Sequence, residues 1–277
     1  TTVRFAKKGF IPWKQAAVCV VFAFVGSSLG AKLALKIDAR IFTMTIPGVV
    51  DVSSTELRDR LAKGEGGHLL APAVYGYILM NGLYGVKPDL KHLDIPELRA
   101  CSYSMVLQKR VRHIMGTEEE AVRLARRWGA DEKLAQRAAI LHDCTKALSE
   151  KEQLTLCEKW HIIFDYDEGN FAQLIHADTG AETARRVFRM PDDIVDAIRT
   201  HTTGDTCMST LQKILYVADM CEETRNWPGV EELRALALTD LEAAVTSAME
   251  RTADFIRQQG REPYYKTLDA LKLRKRR

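Results

Sequence analysis

Six residues in the second half of the chain carry side chains that could do metal or acid–base chemistry together: His113, the adjacent pair His142 and Asp143, His176, His201 and Asp219. Three of these places share a local pattern. His142-Asp143 ends the apolar run Ala138-Ala-Ile-Leu141, His201 follows Ile194-Val-Asp-Ala-Ile198, and Asp219 follows Ile214-Leu-Tyr-Val-Ala218. Burying an ionised Asp beside apolar helix faces is costly unless a cation or hydrogen bonds compensate it. Imidazoles and carboxylates converging from separate helices would supply that compensation through a borderline metal such as Fe²⁺, Mn²⁺ or Zn²⁺. Successive helical residues project about 100° apart, so His142 and Asp143 can reach one ion only near a helix end or by gripping it from two sides. Taken singly, each His or Asp reads as a cap or a surface group. Six of them between positions 113 and 219, most after apolar runs, point to a shared cation.

The elements that must carry these side chains read as helices. Glu118 to Trp128 places Ala121, Val122, Leu124, Ala125 and Trp128 on one stripe, and Gly129 closes it. Ala130-Asp131 opens a helix from Glu132 to His142. Further helices are predicted over Ser149–Trp160, His176–Phe188, Asp192–His201, Ser209–Asp219 and Asp240–Gln259, which puts most of the six residues at or near a helix end. No alternating strand pattern of any length occurs. The expected fold class is all-α, a helical bundle.

Bulk properties narrow the function classes. A chain of 277 residues with 46% hydrophobic and 28% charged content can bury one large core or two modest ones. Its net charge of +3, from 40 basic and 37 acidic residues, is no nucleic-acid footprint, and no nucleic-acid partner is expected. The basic end, Lys272-Leu-Arg-Lys-Arg-Arg277, reads as a solvated tail. Six scattered cysteines without a CxxC pair suit reduced thiols, hence a cytoplasmic location.

Two N-terminal segments have a different character. Gln15 to Ala31 is uncharged and close to the shortest span for a transmembrane helix, ~17 residues. Basic residues flank it on both sides, so they set no orientation, and no clean signal-peptide cleavage site follows. Membrane contact through Gln15–Ala31, tethering the chain, and a buried apolar helix both remain open. Gly26-Ser-Ser-Leu-Gly-Ala-Lys-Leu-Ala-Leu35 resembles a helix of a TauE/SafE-type permease. Next, Val52-Ser-Ser-Thr-Glu-Leu-Arg58 opens an amphipathic helix with Ser54 or Thr55 as N-cap. A second short helix through Leu70–Ile78 stops at Asn81-Gly82. This stretch resembles the C-terminal end of bacterial nicotinate-nucleotide adenylyltransferases, where the Ser-Ser-Thr-x-x-Arg motif receives ATP phosphates. Exposed N–H groups, hydroxyls and Arg58 would suit an anion. That family's nucleotide-binding half does not appear upstream, so a plain helix cap in an inert remnant is expected. The domains are then residues 1–45, a permease-like apolar segment; 46–97, the adenylyltransferase remnant and linker; and 98–277, the catalytic bundle.

Within that bundle, Arg110-x-x-His113, Leu141-His-Asp143-Cys-x-Lys146, Leu174-Ile-His176, Ile198-Arg-x-His201-Thr-Thr-Gly204 and Tyr216-x-Ala-Asp219 match the HD-domain phosphohydrolases in order. The His201-Thr-Thr-Gly motif, and Asp219 followed by Arg225-x-x-Pro228-Gly-Val-Glu-Glu-Leu-Arg234, resemble more narrowly the symmetrical bis(5′-nucleosyl)-tetraphosphatases, over about residues 106–270. The resemblance implies an HD-domain helical bundle with divalent iron, Mn or another transition metal as alternatives, held by His113, His142, Asp143 and Asp219. It implies catalytic roles for Asp143, His176, His201 and Lys146, and substrate contacts from Gly116, His176, His201, Thr202 and Arg225. A second ion shared through Asp143 with His176 and His201 is the lesser alternative. The implied reaction splits diadenosine tetraphosphate into two ADP, with a dinucleoside polyphosphate as the substrate partner. Another nucleotide substrate, or an inactive fusion product, are the competing readings. The sequence leaves the oligomeric state open, a homodimer included. One departure from the family is Thr117 and three glutamates after Gly116, where an apolar residue is usual; the ligand role of His113 is expected to hold.

Overall fold

The structure, a computed structural model, describes residues 52–166 and 168–275. Residues from Ser54 onward form one compact unit. The described residues contain helices and no strand, in agreement with the all-α expectation. The apolar run Gln15–Ala31 lies outside them. Among the described residues, no helix is long and apolar enough to cross a membrane.

The chain enters through α1 (Ser54–Ala62), α2 (Pro72–Asn81) and α3 (Ile95–Met105). The long α4 (Gln108–Trp128) and α5 (Glu132–Leu141) follow as an antiparallel pair, then α6 (Glu150–Trp160), α7 (Glu168–Arg186), α8 (Asp192–Thr200) and α9 (Thr210–Cys221). The order closes with α10 (Val230–Thr239), α11 (Leu241–Gln258) and α12 (Tyr265–Arg274). Local chemistry sets several starts. Asp94 with Glu97, Ser149 with Glu152, and Ser209 with Gln212 form capping boxes for α3, α6 and α9, and Asp131 caps α5. These devices satisfy N–H groups that have no partner inside the helix.

α4 packs on α5 and α9, while α8 packs on α5, α7 and α9. One continuous hydrophobic cluster runs through these helices, with Ile140, Leu141, Ile194, Ile198, Ile214 and Leu215 fully enclosed. The apolar runs that precede His142, His201 and Asp219 are therefore the core itself. Leu79 and Leu93 belong to the same cluster, so the segment that resembles an adenylyltransferase packs on the catalytic helices. Gly76 of α2 makes this approach: a Cβ there would stand 1.8 Å from the Ala100 carbonyl oxygen of α3.

Several boundaries differ from the sequence expectation. α1 already includes Ser54 and Thr55, so its cap position precedes both. α4 begins at Gln108, ten residues before the predicted stripe, because His113, Gly116, Thr117, Glu118 and Glu120 occupy its buried face. An apolar-periodicity argument is blind to a buried face made of polar residues. α7 likewise starts at Glu168, which places His176 in mid-helix instead of at an end. Helices α3, α10 and α12 were not anticipated.

Candidate metal centre

The six residues singled out by spacing meet. His113 comes from α4, His142 and Asp143 from the C-terminal end of α5, His176 from α7, His201 from the end of α8 and Asp219 from the last turn of α9. Three overlapping groups have ligand atoms within 4.8 Å of one another: His113, His142 and Asp143; His142, His201 and Asp219; Asp143, His176 and His201. His142 and His201 occupy the C-cap positions of their helices, as the sequence argument required of the His142-Asp143 pair.

Asp143 is fully buried at the junction. Its Oδ2 lies 3.2 Å from His142 Nε2 and 3.6 Å from His113 Nε2. Its Oδ1 lies 3.3 Å from His176 Nε2 and 3.7 Å from His201 Nε2, and accepts no hydrogen bond. His113 Nε2 also stands 3.1 Å from Asp219 Oδ1. On the far side of each ring the Nδ1 atom is spoken for. His142 Nδ1 donates to the Ala139 carbonyl at 2.7 Å and His201 Nδ1 to the Ile198 carbonyl at 2.6 Å. A carbonyl can only accept, so both rings carry their proton on Nδ1 and present an Nε2 lone pair to the centre. His113 Nε2 and His142 Nε2 then face one another at 3.2 Å. With Asp143 Oδ1 left without a donor between His176 and His201, this gathering of imidazole nitrogens and carboxylate oxygens is an environment that a divalent cation satisfies. The residues present fit a metal ion.

The charge states agree. Burial drives His142 down, and burial drives His176 down to about 3 despite the pull of Asp143. Burial opposes ionisation of Asp143, but His142, His176 and His201 outweigh it and hold the carboxyl well below the usual range. Asp219 is held down in the same way, with Arg225 and His113 overcoming its burial. Burial works against a proton on His113, yet its hydrogen bonds to Asp219 and Glu222 prevail and raise it. Neutral His142 and His176 with ionised Asp143 and Asp219 are the forms that bind a cation, and an ion at His113 would take the place of the Nε2 proton that Asp219 favours there.

A cavity of about 360 Å³ opens on this cluster. Asp143, Lys146, His176, His201, Thr202, Asp219 and Arg225 line it, so all the residues expected at the site but His113, His142 and Gly116 border it. Lys146 Nζ lies 3.0 Å from His176 Nδ1, and burial lowers its pKa. Thr202 Oγ1 and Tyr216 OH are buried along its wall without hydrogen-bond partners. Arg225 donates to the Asp219 carboxylate at 2.5 Å and to its carbonyl at 2.7 Å, so part of its guanidinium is already engaged. Gly116 departs from expectation. It is buried in α4 against Glu222 and does not border the cavity.

Two participants escaped the sequence argument. Arg110, seen there only as part of a motif, bonds Asp143 Oδ2 through Nε at 2.5 Å. Glu222 is wholly buried and bonds His113; only its place three residues after Asp219 could have hinted at it. Arg58, the would-be phosphate arginine, stacks its guanidinium over the Tyr84 ring at 5.3 Å and does not line the cavity. Of the three glutamates after Gly116, two are buried. Arg99 and Gln136 hold Glu118, and Arg123 holds Glu120. The departure from the family pattern is absorbed by local pairing.

Comparison with known proteins bears on the same helices. Residues 110–224 match the family model described as HD domain. A protein of Halalkalibacterium halodurans named "Bis(5'-nucleosyl)-tetraphosphatase, symmetrical" is 39% identical over 166 residues, which is 58% of this chain and 86% of that one. A crystal structure described as a predicted HD superfamily hydrolase involved in NAD metabolism, from Clostridium acetobutylicum, superposes with a TM-score of 0.62 at 30% identity. The superposition covers 67% of this chain and 99% of that chain. A Mycoplasma genitalium protein named "Probable nicotinate-nucleotide adenylyltransferase/Ap4A hydrolase" is 27% identical over 215 residues, 75% of this chain and 56% of that protein. The permease-like residues 1–45 lie outside both the matched family model and the described residues.

Proposed function

Because the chain belongs to the HD-domain family of symmetrical bis(5′-nucleosyl)-tetraphosphatases, we infer that it is a metal-dependent hydrolase of diadenosine tetraphosphate, releasing two ADP. The observation that carries this reading beyond the family is the meeting of His113, His142, Asp143 and Asp219 in overlapping ligand groups, with Asp143 Oδ1 left without a donor. Those four residues would hold the ion, divalent iron by the family resemblance. When bound, such an ion lowers the pKa of water and polarises a phosphoryl oxygen.

The remaining work falls to the chain's own side chains. Asp143 Oδ1, ionised and without a donor, can orient an attacking water and accept its proton. Lys146, His176 and His201 border the cavity beside it and face the charge that builds on the transferring phosphate. Thr202 offers an unpaired hydroxyl to the same oxygens. Arg110 and Arg225, anchored on Asp143 and Asp219, present their outer N–H groups to the anionic chain. At about 360 Å³ the cavity is near the low end for small-molecule sites, ~300–1,000 Å³, as suits one half of a dinucleotide. Water adds to one of the two central phosphorus atoms, the bridging oxygen leaves with the other, and each half departs as a nucleoside diphosphate.

The test is a product assay on the full chain supplied with diadenosine tetraphosphate and Fe²⁺ or Mn²⁺. ADP as the sole nucleotide product is expected. ATP with AMP would mean asymmetric cleavage and would overturn the assignment. Metal analysis of the same sample should find one ion per chain. Two ions would instead bring His176 and His201 into the ligand set through Asp143 Oδ1.

A further inference from the structure

Three imidazoles of the centre need an acceptor for their Nδ1 protons or a donor to it, and they find it in different ways. His142 and His201 sit at helix C-caps, where the carbonyl groups of the last turn have no helical partner. Each takes the carbonyl three residues back, Ala139 and Ile198. His113 has no such option. It lies inside α4, where carbonyl groups are consumed by the helix's own hydrogen bonds. Its Nδ1 instead donates at 3.0 Å to Oε1 of Glu222, a residue 109 positions away at the end of α9.

Glu222 is built to serve that bond. Its side chain is wholly buried, and Thr224 holds it with the backbone N–H on Oε2 and the hydroxyl on Oε1, both at 2.6 Å. Gly116, one turn along α4 from His113, completes the cradle, since a Cβ there would lie 2.3 Å from Glu222 Oε2. A buried carboxylate is expensive to maintain without a cationic counterpart. Arg225 Nε stands 3.7 Å from Glu222 Oε1, and the His113 imidazole becomes a nearer counterpart when its Nε2 meets a metal ion.

We propose that Glu222 is a positioning residue of the metal centre, fixing the tautomer and angle of His113, and that Gly116 is glycine to admit it. The inference rests on the reading of His113 as a metal ligand. Outer carboxylates of this kind raise the basicity of the ring they hold and are worth ~10–100-fold in metal affinity.

The experiment measures Mn²⁺ binding by chelator competition on the full, metal-depleted chain, together with its thermal melt. Glu222→Gln places an amide N–H among three donors and should weaken binding 10–100-fold. The melting temperature of the metal-free protein should move little. Glu222→Asp keeps the charge and should bind between Glu222→Gln and wild type. Gly116→Ala reaches the same end independently, by displacing the carboxylate, and decides the matter should Glu222→Gln fail to fold. Unchanged affinity in Glu222→Gln, or in Gly116→Ala, with a lowered metal-free melt would make Glu222 a packing residue and overturn the proposal. His142→Ala is the control for the parent reading. If it too binds Mn²⁺ like wild type, the metal assignment itself fails; if it loses binding while Glu222→Gln does not, only the role of Glu222 falls.

Discussion

Asp143 offers its two oxygens to two different companies, Oδ2 to Arg110, His113 and His142, Oδ1 to His176 and His201. On the proposed mechanism, that division makes it the residue on which both ion binding and water orientation depend. Asp143→Ala and His142→Ala should each lower turnover of diadenosine tetraphosphate by at least ~10²–10³-fold. They should also strip most of the bound metal, with far-ultraviolet circular dichroism unchanged. Wild-type rates in Asp143→Ala would remove the mechanism. At this scale the sequence was informative, because every ligand candidate was an ionisable residue at the end of an apolar run or in a family motif. Glu222 was not legible: nothing in a single acid three residues past another tells that it will meet a histidine 109 positions earlier.

Helices α7 and α8 deliver His176 and His201, and their relative setting is held by charge as well as by packing. Glu182 of α7 accepts from Arg199 of α8 at 3.0 Å and from Arg186 at 2.8 Å. Burial raises the Glu182 carboxyl, but these hydrogen bonds outweigh it and hold it below its usual 4.5. A depressed folded value means the pair contributes stability fully above pH 4.5 and loses it as pH falls through the lowered value. Glu182→Gln should therefore cost about 1–2 kcal/mol near pH 7, and the gap to wild type should narrow on acidification below pH 4.5. Denaturant melts at pH 7 and at the lowest pH where both proteins fold would show it. A pH-independent difference would mean that shape, not charge, is at stake. The elements themselves were readable where an apolar stripe met a cap, as in α5 and α6. They were missed where polar residues fill the buried face, as in the first half of α4.

At the scale of the whole described unit, α2 and α3 are part of the same core as the catalytic helices, whatever their resemblance to another enzyme's end. Gly76→Ala tests this. Its new methyl would meet the Ala100 carbonyl and force α2 off α3, at a cost of about 1–3 kcal/mol. The melting transition should stay single and fall by about 2–4 °C for each kcal/mol. A separate early transition would show that residues 54–105 unfold on their own, and an unaltered melt would show that the close approach does not exist.

What the sequence determined by itself was chemical kind. Several apolar runs that each end in His or Asp point to a core that brings ionisable groups together, and the helical periodicity around them points away from a sheet. Tertiary structure alone decided how the ligands are held. A histidine at a helix C-cap finds a free carbonyl within its own turn, a local matter written in order and spacing. A histidine in mid-helix must borrow an acceptor from another element, and which one it meets depends on how α4 and α9 cross.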